Sequence, residues 1–234
     1  MAKSTLYVAR HGKTMFNTIG RAQGWSDTPL TAVGEQGIHE LGRGLKNLDI
    51  EFKAAFSSDS GRTLQTMEII LEELGLPHIP YVRDKRIREW CFGSMDGAYD
   101  GELFGGVLPR TPAFINVNGD LAKVSFEKLA ESIQAVDTAN WAESWETIRN
   151  RIWTGFEDIG HFLEKNGGGN AIVVSHGMTI STLVKLIDET APTVQGLDNG
   201  SVTKIEYSSS DGFKILSVGD MNYREIGARE MLSE

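Results

Sequence analysis

The stretch LYVARHGKT, Leu6 to Thr14, runs from an apolar segment straight into Arg10, His11 and Gly12. A short apolar run bounded in this way reads as a strand buried on both faces. It stops on a permanently charged donor, an imidazole and a residue without a side chain. In open α/β sheets the carboxyl ends of the strands line the ligand crevice, so this strand end is a candidate anion site. The signature recurs far along the chain. In VVSHGMT, Val173 to Thr179, a second apolar strand ends in His176-Gly177 and helix-like sequence follows. Two such strand ends could bring both imidazoles together across one crevice.

The intervening sequence alternates between the two periodicities. Thr31 caps a helix whose apolar face runs Val33, Ile38, Leu41, Leu45, Leu48. AAFSS, Ala54 to Ser58, is a short strand, and the helix after it carries Leu64, Met67, Ile70, Leu71 and Leu74 until Gly75 and Pro77 end it. A long amphipathic helix is expected from Asn140, with Trp141, Trp145, Ile148, Ile152, Phe156, Ile159 and Leu163 on its apolar side. Gly167-Gly168-Gly169 precede the strand AIVVS, Ala171 to Ser175, and Met178 to Ile187 reads as helix. Ser201–Tyr207 and Phe213–Val218 read as a hairpin. Strands alternating with helices predict an α/β three-layer sandwich: a mostly parallel mixed sheet with helices on both faces. The whole chain, residues 1–234, reads as one domain. Residues 97–140, including DGELFGGVLPRTPAFINVNGD, exceed an ordinary connection and are expected to be an insertion over the site.

Composition narrows the function. Of 234 residues, 40% are hydrophobic and 24% charged, as in soluble globular proteins. No apolar run approaches the roughly 18 residues of a membrane helix, and a single cysteine, Cys91, suits a reducing compartment. A cytoplasmic protein without membrane or nucleic-acid partners is expected, the latter because a formal charge of -9 opposes phosphate-backbone binding. Against that acidic background Arg10, Lys13, Arg21, Arg62, Lys85, Arg86 and Arg88 fall near apparent strand ends, which suits a small anionic ligand.

SSDSGRTLQT adds Arg62 just after a third strand end, and RIREWCFG adds Glu89 in a fourth strand-like segment. Each residue alone is ordinary surface or core chemistry, but two histidines, two arginines and a glutamate at equivalent positions are not. RHGKT with Asn17, GRAQGWSDTPLTAVG, SSDSGRTLQT, REWCFGSMDG, SHGMT and LDNGSVT together resemble the histidine phosphatase superfamily, whose branches include the cofactor-dependent phosphoglycerate mutases and many phosphatases. The resemblance spans residues 5 to about 97 and 141 to about 205, in order and spacing as well as residue type.

The resemblance implies an active site of Arg10, His11, Asn17, Gln23, Arg62, Glu89 and His176. His11 is then the nucleophile that becomes phosphohistidine, and Glu89 protonates the leaving oxygen and later deprotonates water. Arg10 and Arg62 each offer bidentate donors to the phosphoryl group. His176, if protonated, adds a donor, and Asn17, Gln23 and the Gly177 N–H complete the phosphate-binding set. No metal or other cofactor is expected, since the arginines supply the positive charge. The partner is a small phosphorylated substrate, and the protein is a monomer or homodimer.

Competing chemistries fare worse. A cysteine phosphatase needs Arg six positions after its nucleophile, where Cys91 has Gly97, and His39, His78 and His161 lack ligand spacing. Two departures from the family pattern stand out. Asp96 replaces the usual second Glu, which bears on how the insertion is anchored. The insertion also has only Arg110 where the mutase branch carries adjacent arginines for a substrate carboxylate. The sequence therefore predicts a metal-independent phosphomonoester hydrolase, with phosphoglycerate mutase-type transfer and a non-catalytic phospho-ligand binding module as alternatives.

Overall fold

The computed structural model describes residues 3–232 except 116, 119, 121–122 and 192–195, so parts of the 97–140 insertion lie outside the described residues. The chain runs β1 (Ser4–Arg10), α1 (Met15–Ile19), α2 (Ala32–Asn47), β2 (Phe52–Ser57), α3 (Gly61–Leu74), β3 (Tyr81–Arg83), α4 (Asp100–Glu102), α5 (Pro112–Ile115), α6 (Phe126–Val136), α7 (Trp145–Lys165), β4 (Gly169–Ser175), α8 (Gly177–Ile187), β5 (Val202–Ser208), β6 (Gly212–Asp220) and α9 (Asn222–Met231).

The sheet order is β3-β2-β4-β1-β5-β6. β3, β2, β4 and β1 are parallel, and the β5–β6 hairpin joins β1 antiparallel. The α/β class with a mostly parallel mixed sheet is therefore observed. β1 and β4, the two strands ending in His-Gly, are direct neighbours with Arg10 opposite Ser175. That register sets His11 and His176 side by side at the carboxyl edge.

Alternation along β1 explains the layers. Leu6 and Val8 face a core with Ile152, Phe156 and Ile159 of α7, while Tyr7 and Ala9 face one with Ile38 and Leu41 of α2 and Met67 and Ile70 of α3. Side-chain caps fix where helices begin: Thr31 accepts from Gly34 N and Ser144 from Thr147 N. α9, which the sequence pattern did not suggest, packs on α2 at very close range. A Cβ on Gly44 would lie 1.7 Å from the Tyr223 carbonyl oxygen, and one on Gly227 1.9 Å from that of Glu40. These glycines permit backbone-to-backbone contact.

Three expectations need correction. The long helix starts at Trp145 and not at Asn140, because Asp137 accepts the N–H groups of Ala139, Trp141 and Ala142 and holds that segment as a turn; Trp141 is 73% exposed. Val33 and Leu48 are exposed and do not belong to the buried face of α2. Glu89 is not on a strand. β3 stops at Arg83, Asp84 caps a 3-10 turn at Lys85–Ile87, and the chain is irregular through Glu89.

The insertion is mostly short helical turns leading to α6. Leu103, Leu108, Phe114, Val124, Leu129 and Ile133 are buried in the α7-side core, so it shares its packing with the sheet. Asp96, the shorter acid, anchors its entry: Oδ1 accepts from Gly24 N (2.8 Å), Ser26 N (3.1 Å) and Ser26 Oγ (2.9 Å), and Oδ2 from Trp25 N (3.3 Å) and Phe92 N (3.1 Å).

Candidate active site

His11 is buried where β1 ends, with its ring centroid 5.3 Å from that of His176. Its Nδ1 lies 2.8 Å from the Gly12 carbonyl oxygen, an acceptor only, so Nδ1 carries the proton and Nε2 presents its lone pair. Arg62 Nε donates to that Nε2 at 3.3 Å. Burial, then the charges of Arg62 and Arg10, push the His11 pKa well below the usual imidazole value. The imidazole is therefore neutral, the state in which it can attack.

His176 is neutral as well, so it does not add the donor it would supply if protonated. Its Nδ1 accepts from Arg62 Nη2 at 2.9 Å, so its proton is on Nε2, 2.7 Å from Ser58 Oγ. Burial again dominates the downward shift, followed by Arg62 and His11. Ser58 Oγ meets Thr63 Oγ1 at 2.8 Å, and the Thr63 hydroxyl in turn lies within reach of the Ser58 and Ser60 carbonyls. Each group in this chain has an acceptor for its proton.

Arg62 also differs from its expected form. It is fully buried, and its donors are all engaged: Nη1 with Ser26 O (2.9 Å) and Asp27 Oδ1 (2.8 Å), Nη2 with Gly24 O (2.8 Å) and His176, and Nε with His11. It offers no free fork. Only the donors facing the histidines could turn to a phosphoryl group, and Nε–H would do so once His11 Nε2 is covalently occupied. Arg10 is different. Nη1 donates to the Leu197 carbonyl, while Nε is buried with no partner among the described residues. A buried guanidinium N–H without an acceptor is costly, and an anion beside His11 would satisfy it.

Glu89 is held by the N-terminus of α8. Oε1 accepts from Trp90 N (3.1 Å), Thr179 N (3.0 Å) and Thr179 Oγ1 (3.2 Å), and Oε2 from Met178 N alone (3.0 Å). Oε2 is the oxygen with room for a proton. Arg10, His11, Asn17, Gln23, Glu89 and Gly177 line one cavity of about 510 Å³, to which the insertion also contributes. Of the predicted set, His176 and Arg62 stand behind that lining, in contact with His11. Gln23 is braced, Oε1 accepting from Thr14 Oγ1 and Nε2 donating to Thr28 Oγ1.

Of the other basic residues near strand ends, Arg21 reaches the cavity. Arg86 and Arg88 pair with Asp84 and Asp59 on the surface side. Lys13 lines a smaller cavity behind the His11 loop with Arg224, and Arg110 is exposed. Among the described residues no group of three or more His, Cys, Asp or Glu could hold a metal ion, and no helix is long and apolar enough to cross a membrane.

Sequence reasoning passed over Asn199, within the motif LDNGSVT. Its Nδ2 donates to the His11 carbonyl (2.9 Å) and to Asn17 Oδ1 (3.3 Å), which also accepts from Thr14 N (3.2 Å). With its oxygen so occupied, Asn17 keeps its N–H groups for the cavity it lines. Asn199 was discoverable only as the polar residue before a turn glycine, Gly200.

The family profile for the histidine phosphatase superfamily (branch 1) matches residues 6–221, and the chain belongs to that family. It is similar to the probable phosphoglycerate mutase GpmB of Yersinia pestis (strain Pestoides F), 29% identical over 237 residues that cover 97% of this chain and 98% of the relative. The crystal structure of a phosphoglycerate mutase from Bacillus anthracis str. Sterne matches with a TM-score of 0.90 at 38% identity, covering 97% of both chains. A mycobacterial glucosyl-3-phosphoglycerate phosphatase shares the fold, with a TM-score of 0.68 at 19% identity over 93% of this chain and 99% of its own.

Proposed function

We propose that the protein is a metal-independent phosphomonoester hydrolase that works through a phosphohistidine at His11 on a small phosphorylated metabolite. The observation that carries this reading is a neutral His11 whose Nε2 lone pair is held only by the long bond from Arg62 Nε–H, with the Arg10 Nε–H unpartnered among the described residues. Charge on a phosphoryl group in flight is spread over its equatorial oxygens, so fixed cations around a nucleophile are the main requirement. Arg10, Arg62, Asn17, Gln23 and the Gly177 N–H would bind those oxygens. His176 would hold Arg62 in place and accept from it. Glu89, through Oε2, would protonate the leaving oxygen and then take a proton from the attacking water.

Phosphoryl transfer between phosphoglycerates is the second reading, favoured by the Yersinia and Bacillus relatives being named phosphoglycerate mutases and by Arg21 in the cavity. Hydrolysis is preferred because the insertion brings no lysine or arginine to that cavity among the described residues. The purified protein is given 3-phosphoglycerate, and inorganic phosphate and 2-phosphoglycerate are followed together, with phenyl phosphate as a second substrate. Phosphate release from both substrates is expected. Accumulation of 2-phosphoglycerate at a rate above phosphate release would establish the transfer reading instead.

A further inference from the structure

The cavity lining is of two unlike kinds. One is the polar set of Arg10, His11, Asn17, Gln23 and Glu89. The other is apolar and comprises Phe92, Phe104, Val124, Phe126, Leu129 and Met178, four of them from the insertion. This wall is fixed in place. The Phe126 ring meets that of Trp90 edge-on at 5.6 Å and lies 6.3 Å from that of Trp145, and Leu129 is buried in the same core. At about 510 Å³ the cavity far exceeds a phosphate group and lies in the range that takes a drug-sized molecule.

Two further charged residues of opposite sign, Arg21 and Asp100, also line the cavity. Arg21 has its guanidinium carbon 3.9 Å from the Tyr99 ring centroid and donates to the Gly97 carbonyl. Asp100, one residue after Tyr99, lines the same cavity, and its carboxyl has no partner among the described residues. An anionic group on the far end of a substrate would meet Asp100 as well as Arg21. An apolar group would not be repelled by Asp100 and would cover the phenylalanine wall.

We infer that the substrate is a phosphomonoester whose leaving alcohol is bulky, apolar and uncharged, and that the insertion selects it through Phe104, Phe126, Val124 and Leu129. The inference rests on the assignment of His11 to phosphoryl chemistry and adds what lies on the other side of the ester oxygen. The reaction is ordinary ester hydrolysis. The P–O bond to the alcohol breaks as the P–N bond to His11 forms, and the alcohol leaves with a proton. Water then cleaves the P–N bond to give inorganic phosphate.

The test is a series of unbranched 1-alkyl phosphates from propyl to hexyl, whose leaving alcohols are equally basic, so that only apolar contact changes. Each buried methylene is expected to raise kcat/KM by about fourfold, or about 60-fold from propyl to hexyl if all three are fully covered. Phe104→Ala is expected to shrink the hexyl-to-propyl ratio severalfold. Dissociation constants of propylphosphonate and hexylphosphonate, measured by calorimetry, should show the same preference without any turnover. A flat series in both kcat/KM and phosphonate affinity, or 3-phosphoglycerate turned over more efficiently than hexyl phosphate, would overturn the inference. Selective hexylphosphonate binding with no phosphate released from any ester would sink the hydrolase reading alone and leave the apolar site standing.

Discussion

Replacing Glu89 with glutamine would remove the proposed proton donor and disturb a buried hydrogen-bond cluster, and the two losses are separately measurable. The amide oxygen is expected to stay on the Oε1 side, where three donors converge. The amide nitrogen then faces Met178 N–H across the 3.0 Å now bridged by Oε2, donor against donor. One stranded buried donor costs about 1–3 kcal/mol, which for a chain of this size lowers the melting temperature by roughly 2–4 °C per kcal/mol. The chemical loss depends on the leaving group. An alkoxide is strongly basic and needs the proton, so phosphoenzyme formation from an alkyl phosphate should slow by about 10²–10⁴-fold. A nitrophenolate leaves as a stabilised anion, and its step should slow far less. Water attack then becomes rate-limiting, and phosphohistidine should accumulate. Rapid quench with both substrates, alongside thermal melts, reads every term. Equal slowing on alkyl and aryl esters would show that Glu89 orders the α8 terminus without donating a proton.

Arg62→Lys should both abolish phosphoenzyme formation and destabilise the fold by several kcal/mol, because lysine leaves carbonyls of Gly24 and Ser26 unpartnered; Arg10→Lys should weaken phosphate binding with a stability change under about 1 kcal/mol, and equal denaturation midpoints for the pair would contradict these assignments. Asn199→Asp puts a carboxylate against the His11 carbonyl and Asn17 Oδ1 and should lower kcat/KM by roughly tenfold or more, with little further loss in an Asn17→Ala background; full additivity would mean that Asn199 acts elsewhere. Because the pKa values of His11 and His176 are depressed by burial, the unfolded chain binds more protons below pH about 6.5. Stability should fall as pH drops from there, by up to about 1.4 kcal/mol per unit for each histidine; urea midpoints that do not move between pH 7 and pH 5 would show the histidines charged in the folded state. Gly44→Ala drives a methyl to within 1.7 Å of the Tyr223 carbonyl oxygen and should cost at least about 2 kcal/mol by forcing α2 from α9, as read by chemical denaturation.

The strand ends were legible because each parallel strand is buried on both faces, which compresses the signal into short apolar runs with an abrupt polar stop. The same signal sets His11, Arg10 and His176 at the carboxyl edge of the sheet. Glu89 was recognised by residue type but set on the wrong element. The apolar and aromatic residues around it, Ile87, Trp90 and Phe92, are buried in the core without belonging to a sheet. α9 was missed because only Tyr223 and Gly227 are buried on it, too few to show helical periodicity. Gly44 and Gly227 read as helix-weakening until the crossing they permit is seen. The saturation of Arg62 by loop carbonyls could not be read at all, since those contacts join residues 35 or more positions apart and leave no composition signal.

The α8 terminus shows how one structural feature serves two charges. A helix N-terminus ordinarily invites an anion, and the ligand expected here is a phosphate. Yet Met178 and Thr179 give their N–H groups to Glu89, and Ile180 N–H already bonds to the His176 carbonyl. Gly177 N–H alone stays available on the cavity wall. The helix therefore fixes the carboxyl, and on the proposed mechanism the phosphoryl group would be left to side chains: Arg10, with its Nε unpartnered among the described residues, and Arg62, whose Nε would be released from His11 only as a P–N bond formed. Under this arrangement, binding of the ester falls mainly to Arg10, while Arg62 gains a contact as the transition state approaches. Arg10 substitutions should accordingly appear in both KM and kcat, and changes that loosen Arg62, such as at Asp27, chiefly in kcat.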